Sequence, residues 1–178
     1  MLSSRILALA ISLACTVSAK QKSIQGPAPD SPKRLQISAV VNEDHDPYYA
    51  KIECWELDAP FSKYPTVGEA LPLGDVTNVT YVTLPPRSQE GLHHPPHNMF
   101  FILLSGVAHV GLPGDPSSGG LWIREGVNPL IIATDTMGIG HYTDYPGDKS
   151  TVALQVPFKD GVVPEHTVIG DAACEISE

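Results

Sequence analysis

Basic residues are scarce in this chain. Lysine and arginine total 11 against 20 aspartate and glutamate residues, and the formal net charge is -9. Proteins that bind nucleic acid rely on cationic side chains that release counterions from the phosphate backbone. A chain with this excess of acid lacks that source of affinity, so we expect no nucleic-acid partner.

A long apolar run is also missing. The apolar stretch at residues 6–17 follows a short basic start at Arg5, but it is shorter than the roughly 20 residues that a membrane-spanning helix needs. The small residues Val17-Ser18-Ala19 that follow suit cleavage by a signal peptidase. We therefore expect residues 1–19 to be a signal peptide. The cleaved chain would enter the secretory pathway or be secreted, with no integral membrane segment.

Cysteine is rare, with three in the whole chain. Cys15 would leave with the signal peptide, and Cys54 and Cys174 would then meet an oxidising lumen. One disulfide is expected, worth on the order of 4 kcal/mol in the chain-entropy account; two unpaired thiols are the alternative. Asn78-Val79-Thr80 is an N-glycosylation sequon, which is consistent with passage through the secretory pathway. Asn78 is therefore the expected glycosylation site.

Helical periodicity is absent as well. Residues 20–35 have the composition of an extended linker, and short β-rich runs follow between Gly, Pro and Asp breaks. Tyr48–Leu57 alternates apolar and charged residues, whereas Met99–Leu104 is apolar on both faces, as in a central strand. At Ser105-Gly106 we expect a hairpin or a sharp bend. The 178 residues suit one all-β domain over 36–170, followed by a tail at 171–178.

Histidine is what the sequence does offer in quantity. His93, His94 and His97 precede the apolar run, and His141 follows in a second glycine-rich stretch. Imidazoles are common metal ligands and general acid or base groups. Several histidines directly before one predicted strand therefore indicate a functional site. We expect His109 to be an ordinary strand residue, and His45 and His166 to be solvated.

These residues resemble the two motifs of the cupin superfamily. Gly106 stands at the final glycine of the first motif, and Met99 occupies its glutamate position. The second motif has Thr136, Gly138, His141 and Tyr145 at its proline, glycine, histidine and asparagine positions. The resemblance implies a single cupin-type jelly-roll β-barrel with little helix. A double-sheet jelly roll also protects the edges of many short strands.

Three phrases are similar to small single-domain fungal cupins encoded beside polyketide-synthase genes, including cupin-domain oxidoreductases of salicylaldehyde-type pathways. They are His93–Phe101, Leu121-Trp122-Ile123 and Gly138–Asp144. This similarity implies an oxidoreductase that acts on an aromatic polyketide-type intermediate in secondary metabolism. Its partner would be a small aromatic substrate, and a homodimer is compatible with the superfamily.

The cofactor is left open by the same residues. In one hypothesis His93 or His94, then His97, then His141 hold a divalent metal (iron, copper or manganese), although Met99 removes the usual carboxylate ligand. In another no metal is bound, and His97, His141 and Tyr142 act as catalytic groups of a cyclase or isomerase. A third is a secreted ligand-binding protein without turnover. Convergence of His93, His97 and His141 on one point would support the two catalytic hypotheses, whereas divergence of their side chains would remove the main support of both.

The remaining expectations concern the walls of the site. Met99, Phe101 and Leu103 would line the barrel interior on the parity of the family and offer an apolar slot, with ordinary core packing as the favoured alternative. Tyr145 would donate to a carbonyl or phenolate oxygen, and Gln155 would orient the substrate.

Overall fold

The structure is a computed structural model, and it describes residues 33–175. The predicted signal peptide, Cys15 and most of the predicted linker lie outside these residues. Within them the only helical segment is one 3-10 turn, Lys159–Gly161. The strands are β1 (Arg34–Asn42), β2 (Ala50–Pro60), β3 (Ser62–Lys63), β4 (Glu69–Ala70), β5 (Thr80–Leu84), β6 (Ser88–His93), β7 (Met99–Ser105), β8 (Val107–Gly111), β9 (Leu121–Arg124), β10 (Leu130–Ala133), β11 (His141–Tyr145), β12 (Thr151–Pro157) and β13 (His166–Gly170). The predicted all-β fold with little helix is confirmed.

Two sheets make up most of the fold. The larger has seven strands in the order β13-β2-β1-β10-β7-β12-β5, and the smaller has four in the order β6-β11-β8-β9. In the larger sheet β1 and β10 run parallel, and its other neighbouring pairs are antiparallel. Strands β3 and β4 form a separate short hairpin. Many of these pairings join segments that are far apart in sequence.

A hydrophobic core combines residues of both sheets. Val40 and Ile52 of the large sheet belong to one buried cluster with Val110 and Ile123 of the small sheet. Each strand of the small sheet that enters this cluster alternates buried and more exposed residues, as a strand with one buried face does. The cavity described below opens inside this core.

The large sheet is buried on its other face too. Trp55, Phe100 and Ile132 form a second cluster that Leu71 and Leu73 partly cover. Met99–Leu104 is therefore apolar on both faces because β7 lies between β10 and β12 with a core on each side.

One solvated histidine was predicted wrongly. His166 stacks on Trp55 with 3.5 Å between ring centroids and 13° between the planes, and it is half-buried. His45 is exposed, as expected.

A sharp bend at Gly106 carries the chain from the large sheet to the small one. Strands β7 and β8 follow one another but belong to different sheets, so the predicted hairpin is wrong and the bend is right. Gly106 has φ +90°, and a Cβ there would lie 2.7 Å from the Thr151 Cα. Glycine is needed for both reasons.

The remaining sequence features lie away from the sheets' common core or at its edge. Cys54 and Cys174 form a disulfide with 4.7 Å between Cα atoms, joining β2 to the segment after β13. Asn78, the predicted glycosylation site, is exposed just before β5. Over residues 33–175 the structure contains no helix with the length and hydropathy of a membrane span.

Candidate functional site

A cavity of about 250 Å³ opens within the core that both sheets share. Its polar groups lie mainly on β6 and β11, with Gln155 added from β12. The rest of the wall is apolar, and Met99 and Phe101 belong to it, as the sequence predicted. Leu103, the third residue expected there, is buried in the same core without lining the cavity. The lining residues are Val40, Glu90, His93, Pro95, Pro96, Met99, Phe101, Ala108, Val110, Ile123, Ile131, Ala133, His141, Thr143, Tyr145 and Gln155.

Strand register brings two of the predicted histidines together. Strands β6 and β11 are antiparallel, and His93 lies opposite His141. Their ring centroids are 4.6 Å apart in an edge-to-face arrangement with 63° between planes. Both imidazoles line the cavity, so a substrate there can contact two titratable groups at once.

Asp135 holds the ring of His141. Its Oδ2 is 2.5 Å from His141 Nδ1, and the carboxylate is fully buried. An ionised carboxylate only accepts hydrogen bonds, so Nδ1–H of His141 donates and Nε2 remains as the other ring nitrogen. The same arrangement orients the base in hydrolytic triads. The backbone oxygen of Asp135 is also 2.8 Å from His94 Nδ1, which ties this loop to the end of β6.

One oxygen of Asp135 has no partner. Within the described residues, Oδ1 is the single buried side-chain oxygen or nitrogen without a hydrogen bond. Leaving a buried polar group unsatisfied costs about 1–3 kcal/mol. An unpaired carboxylate oxygen beside a cavity histidine is the kind of cost that functional sites carry.

Glu90, His93 and Tyr145 form a second polar cluster in the cavity, next to the Asp135–His141 pair. Glu90 Oε2 is 3.3 Å from His93 Nε2 and accepts a hydrogen bond of 3.1 Å from the Tyr145 hydroxyl. His93 Nδ1 is 2.8 Å from the Gly91 carbonyl oxygen, so acceptors face both ring nitrogens of His93. Burial raises the pKa of Tyr145 above its usual range, and the charge of Glu90 adds to the effect. Tyr145 therefore stays protonated at neutral pH and acts as a hydrogen-bond donor.

His97 is placed elsewhere. It is exposed and lines a different groove with Asn98, Thr136 and Phe158. Strand β6 ends at His93, and Pro95-Pro96 cannot continue its hydrogen-bonded ladder, so the period-2 parity that would have turned His97 inward is lost. His93, His97 and His141 therefore do not converge on one point.

The three-histidine metal centre does not fit this arrangement. Only His93 and His141 of the four predicted ligands line the cavity; His94 and His97 are exposed. Over residues 33–175 no group of three or more His, Cys, Asp or Glu side chains is arranged to hold a metal ion. Metal binding remains a prediction from the sequence.

Tyr142 is the second of the three predicted catalytic residues that lies outside the cavity. Along β11 His141, Thr143 and Tyr145 are buried, so the alternate residue Tyr142 points to the outer face and is exposed. Tyr145, expected as a donor, occupies the cavity position instead.

Sequence reasoning missed the two carboxylates of the site. Asp135 precedes His141 by six residues in the same glycine-rich stretch, which is a weak signal among 20 acidic residues. Glu90 precedes His93 by three residues in a strand, a spacing that by itself predicts opposite faces. A register shift between β6 and β11 allows Glu90 and His93 to line the cavity together.

No protein-family model, no curated protein and no solved structure matches the chain. The cupin resemblance and its closed barrel therefore stay predictions. The fold established here is an all-β one with two main sheets, and the function has to be inferred from the cavity.

Proposed function

We propose that the protein is a metal-independent acid–base enzyme that moves a proton on a small, largely apolar substrate bearing a carbonyl group. The reaction class is cyclisation or isomerisation, and an aromatic polyketide-type substrate suits the apolar wall. The observation that carries the proposal is the buried Asp135–His141 pair, placed edge-to-face with His93 in the cavity.

His141 is the base in this proposal. Its Nε2 takes a proton from the carbon next to the carbonyl, and the electrons of the broken C–H bond form an enolate. Asp135 keeps the ring oriented and stabilises the imidazolium that results, as the aspartate of a Ser-His-Asp triad does. A positioned general base of this kind contributes about 10²–10⁴-fold to the rate.

His93 supplies the acid side in this proposal. Glu90 and the Gly91 carbonyl oxygen, one at each ring nitrogen, orient its imidazole, and the Tyr145 hydroxyl holds the Glu90 carboxylate by a hydrogen bond. The His93 imidazole donates a proton to the enolate oxygen or returns one at a neighbouring carbon. Because the two rings are 4.6 Å apart, one imidazole can remove a proton and the other deliver one within a single bound substrate.

The apolar wall strengthens this chemistry. Charges interact more strongly where water is excluded, and the side chains opposite the histidines include Val40, Phe101 and Ile131. The Asp135–His141 pair also favours catalysis over simple ligand binding, because a binding pocket gains nothing from a buried carboxylate with an unpaired oxygen. The oxidoreductase predicted from the sequence would in addition need an electron acceptor, and proton transfer needs none.

The test is incorporation of deuterium from D2O into probe ketones. The purified protein, treated with a chelator, is incubated with 1-tetralone and 1-phenylbutane-1,3-dione, and exchange next to the carbonyl is followed by NMR. We expect catalysed exchange that His141→Gln abolishes and that Asp135→Asn lowers by about 10²–10⁴-fold. Circular dichroism verifies that each variant is folded.

His97→Gln is the matched control, because His97 is exposed in another groove. It should keep the wild-type rate. Equal losses in His97→Gln and His141→Gln, or an undiminished rate in folded His141→Gln, would overturn the proposal.

A further inference from the structure

A second groove lies on the outer face of the small sheet, behind the cavity wall. Its volume is about 770 Å³. Residues of β11 and β8 alternate between the two faces, so that Thr143 and Val110 face the cavity while Tyr142 and His109 line the groove. Glu90 lines both the groove and the cavity, and the other groove residues are at positions that the proposed chemistry does not use.

A row of polar and aromatic side chains crosses this face. Gln89 of β6 pairs with Asp144 of β11, Asp144 pairs with His109 of β8, and His109 pairs with Trp122 of β9. Residues directly opposite on neighbouring strands share a face. The His109 and Trp122 rings are 4.4 Å apart, and Trp122 is 45% exposed. The row therefore ends in an uncovered indole.

Beside this row the groove has an aromatic floor. Tyr142 is 43% exposed and pairs with Gly111, and Gly91 also lines the groove. Neither glycine has a side chain to cover the phenol ring. The loop at 112–120 forms the wall, and its Gly119 carbonyl oxygen is 2.8 Å from His109 Nε2. The wall and the row are thus fixed to one another.

The groove is poor in cationic groups. Its lining includes the carboxylates of Glu90, Asp115 and Asp144 but no lysine or arginine, so nothing neutralises a phosphate or carboxylate ligand. Each of the three carboxylates has a neighbour within the protein. Glu90 Oε2 accepts from the Tyr145 hydroxyl, Asp115 Oδ1 accepts from the backbone and hydroxyl of Ser117, and Asp144 Oδ2 is 4.0 Å from His109 Nδ1. These contacts reduce the negative charge that the groove offers to an organic cation.

We infer that this groove binds a neutral carbohydrate. A sugar ring has an apolar C–H face that can pack on Tyr142, and Trp122 lies outside the groove lining but next to His109 on the same face. Tyr and Trp combine an apolar body with a polar end. Its hydroxyl groups donate to oxygens such as those of Asp144 and Gln89, which accept. A few placed polar groups around an apolar contact are the usual composition of a small-molecule site. The inference does not depend on the proposed acid–base function, because Tyr142, Asp144 and Gln89, the residues that carry it, line the groove and not the cavity.

The test is isothermal titration of the purified protein with neutral oligosaccharides of glucose, mannose, galactose, xylose and N-acetylglucosamine. We expect at least one of them to bind, and Tyr142→Ala and Asp144→Asn each to weaken its binding tenfold or more. Tyr81→Ala is the matched control, since Tyr81 is 64% exposed on β5 of the other sheet, and it should bind as the wild type does. Exchange of 1-tetralone should be unchanged in Tyr142→Ala.

Three results would overturn the inference. The first is that no oligosaccharide of the panel binds at millimolar concentration. The second is that Tyr142→Ala and Tyr81→Ala bind an oligosaccharide equally well. The third is that spermidine, a cationic probe, binds in place of the sugars and is lost in Asp144→Asn.

Discussion

Tyr145 shows at the scale of a single residue how the fold sets chemistry. Burial holds the pKa of its phenol above the ordinary value of 10.0, and Glu90 raises it further through its charge and the hydrogen bond that it accepts. The charged form of a phenol is disfavoured both by removal from water and by a neighbouring carboxylate. Tyr145 therefore stays protonated, and able to donate, throughout the neutral range.

The raised pKa of Tyr145 predicts how stability depends on pH. Above pH 10 an unfolded tyrosine loses its proton while Tyr145 keeps it, so the unfolded state binds fewer protons and the free energy of unfolding falls as pH rises. The fall contributed by this residue approaches about 1.4 kcal/mol per pH unit. Urea unfolding at pH 9 and at pH 11 measures it. In Tyr145→Phe the drop should be smaller by that contribution, and an equal drop in both proteins would contradict the assignment.

The residues of the site were only partly predictable. His93, His141, Tyr145 and Gln155 could be named because their side-chain types suggest chemistry and they sit near strands. Asp135 and Glu90 could not, because a carboxylate becomes distinctive only when burial or register gives it a partner. His97 and Tyr142 lie outside the cavity because strand parity fails across Pro95-Pro96 and because alternate residues of β11 face away from the cavity.

At the scale of elements, the close approach of β11 to the end of β6 makes the site. Gly140, immediately before β11, has φ +80°, and a Cβ there would lie 2.8 Å from the His93 carbonyl carbon. A side chain at this position would push the two strands apart. The spacing of His93 and His141 therefore depends on a glycine.

Gly140→Ala should reduce both stability and proton exchange. Its control is Gly126→Ala, where φ is +74° but no atom lies within 4 Å of the added Cβ. The left-handed backbone alone costs about 1–2 kcal/mol with a side chain, which is the loss expected for Gly126→Ala with exchange intact. Chemical denaturation and the 1-tetralone assay measure the two effects. Equal stability and equal activity in the two variants would show that the approach at Gly140 is not needed.

Strand positions followed from local pattern better than strand partners did. The alternation in residues 48–57 and the apolar run at 99–104 correspond to β2 and β7. The bend at Gly106 was expected, but its transfer of the chain to a second sheet depends on pairings between distant segments. Strand β6 is too polar for a period-2 signal, and in β13 the apolar residues Val168 and Ile169 are adjacent instead of alternating.

At the scale of the whole molecule, the disulfide ties the C-terminal segment to the large sheet. Cys54 and Cys174 are 120 residues apart. Cys174 N–H also donates to Ser38 Oγ at 2.9 Å, so the segment has a second anchor on β1. Closing so long a loop restricts the unfolded chain strongly.

The double variant Cys54→Ala/Cys174→Ala should lose roughly 4–5 kcal/mol of unfolding free energy, as expected for a loop of this length. Urea unfolding of the oxidised wild type and of the variant measures the loss. Wild type unfolded in the presence of dithiothreitol is the control and should resemble the variant. A difference below about 1 kcal/mol would show that the cross-link contributes little.

The most direct test of a metal-independent mechanism is the rate of 1-tetralone exchange by the wild-type protein before and after exhaustive chelation, and again after iron, copper or manganese is added back. A metal-independent mechanism predicts the same rate of 1-tetralone exchange in all of these conditions. A rate that disappears on chelation and returns with one metal would contradict it, and would favour the metal centre predicted from the sequence.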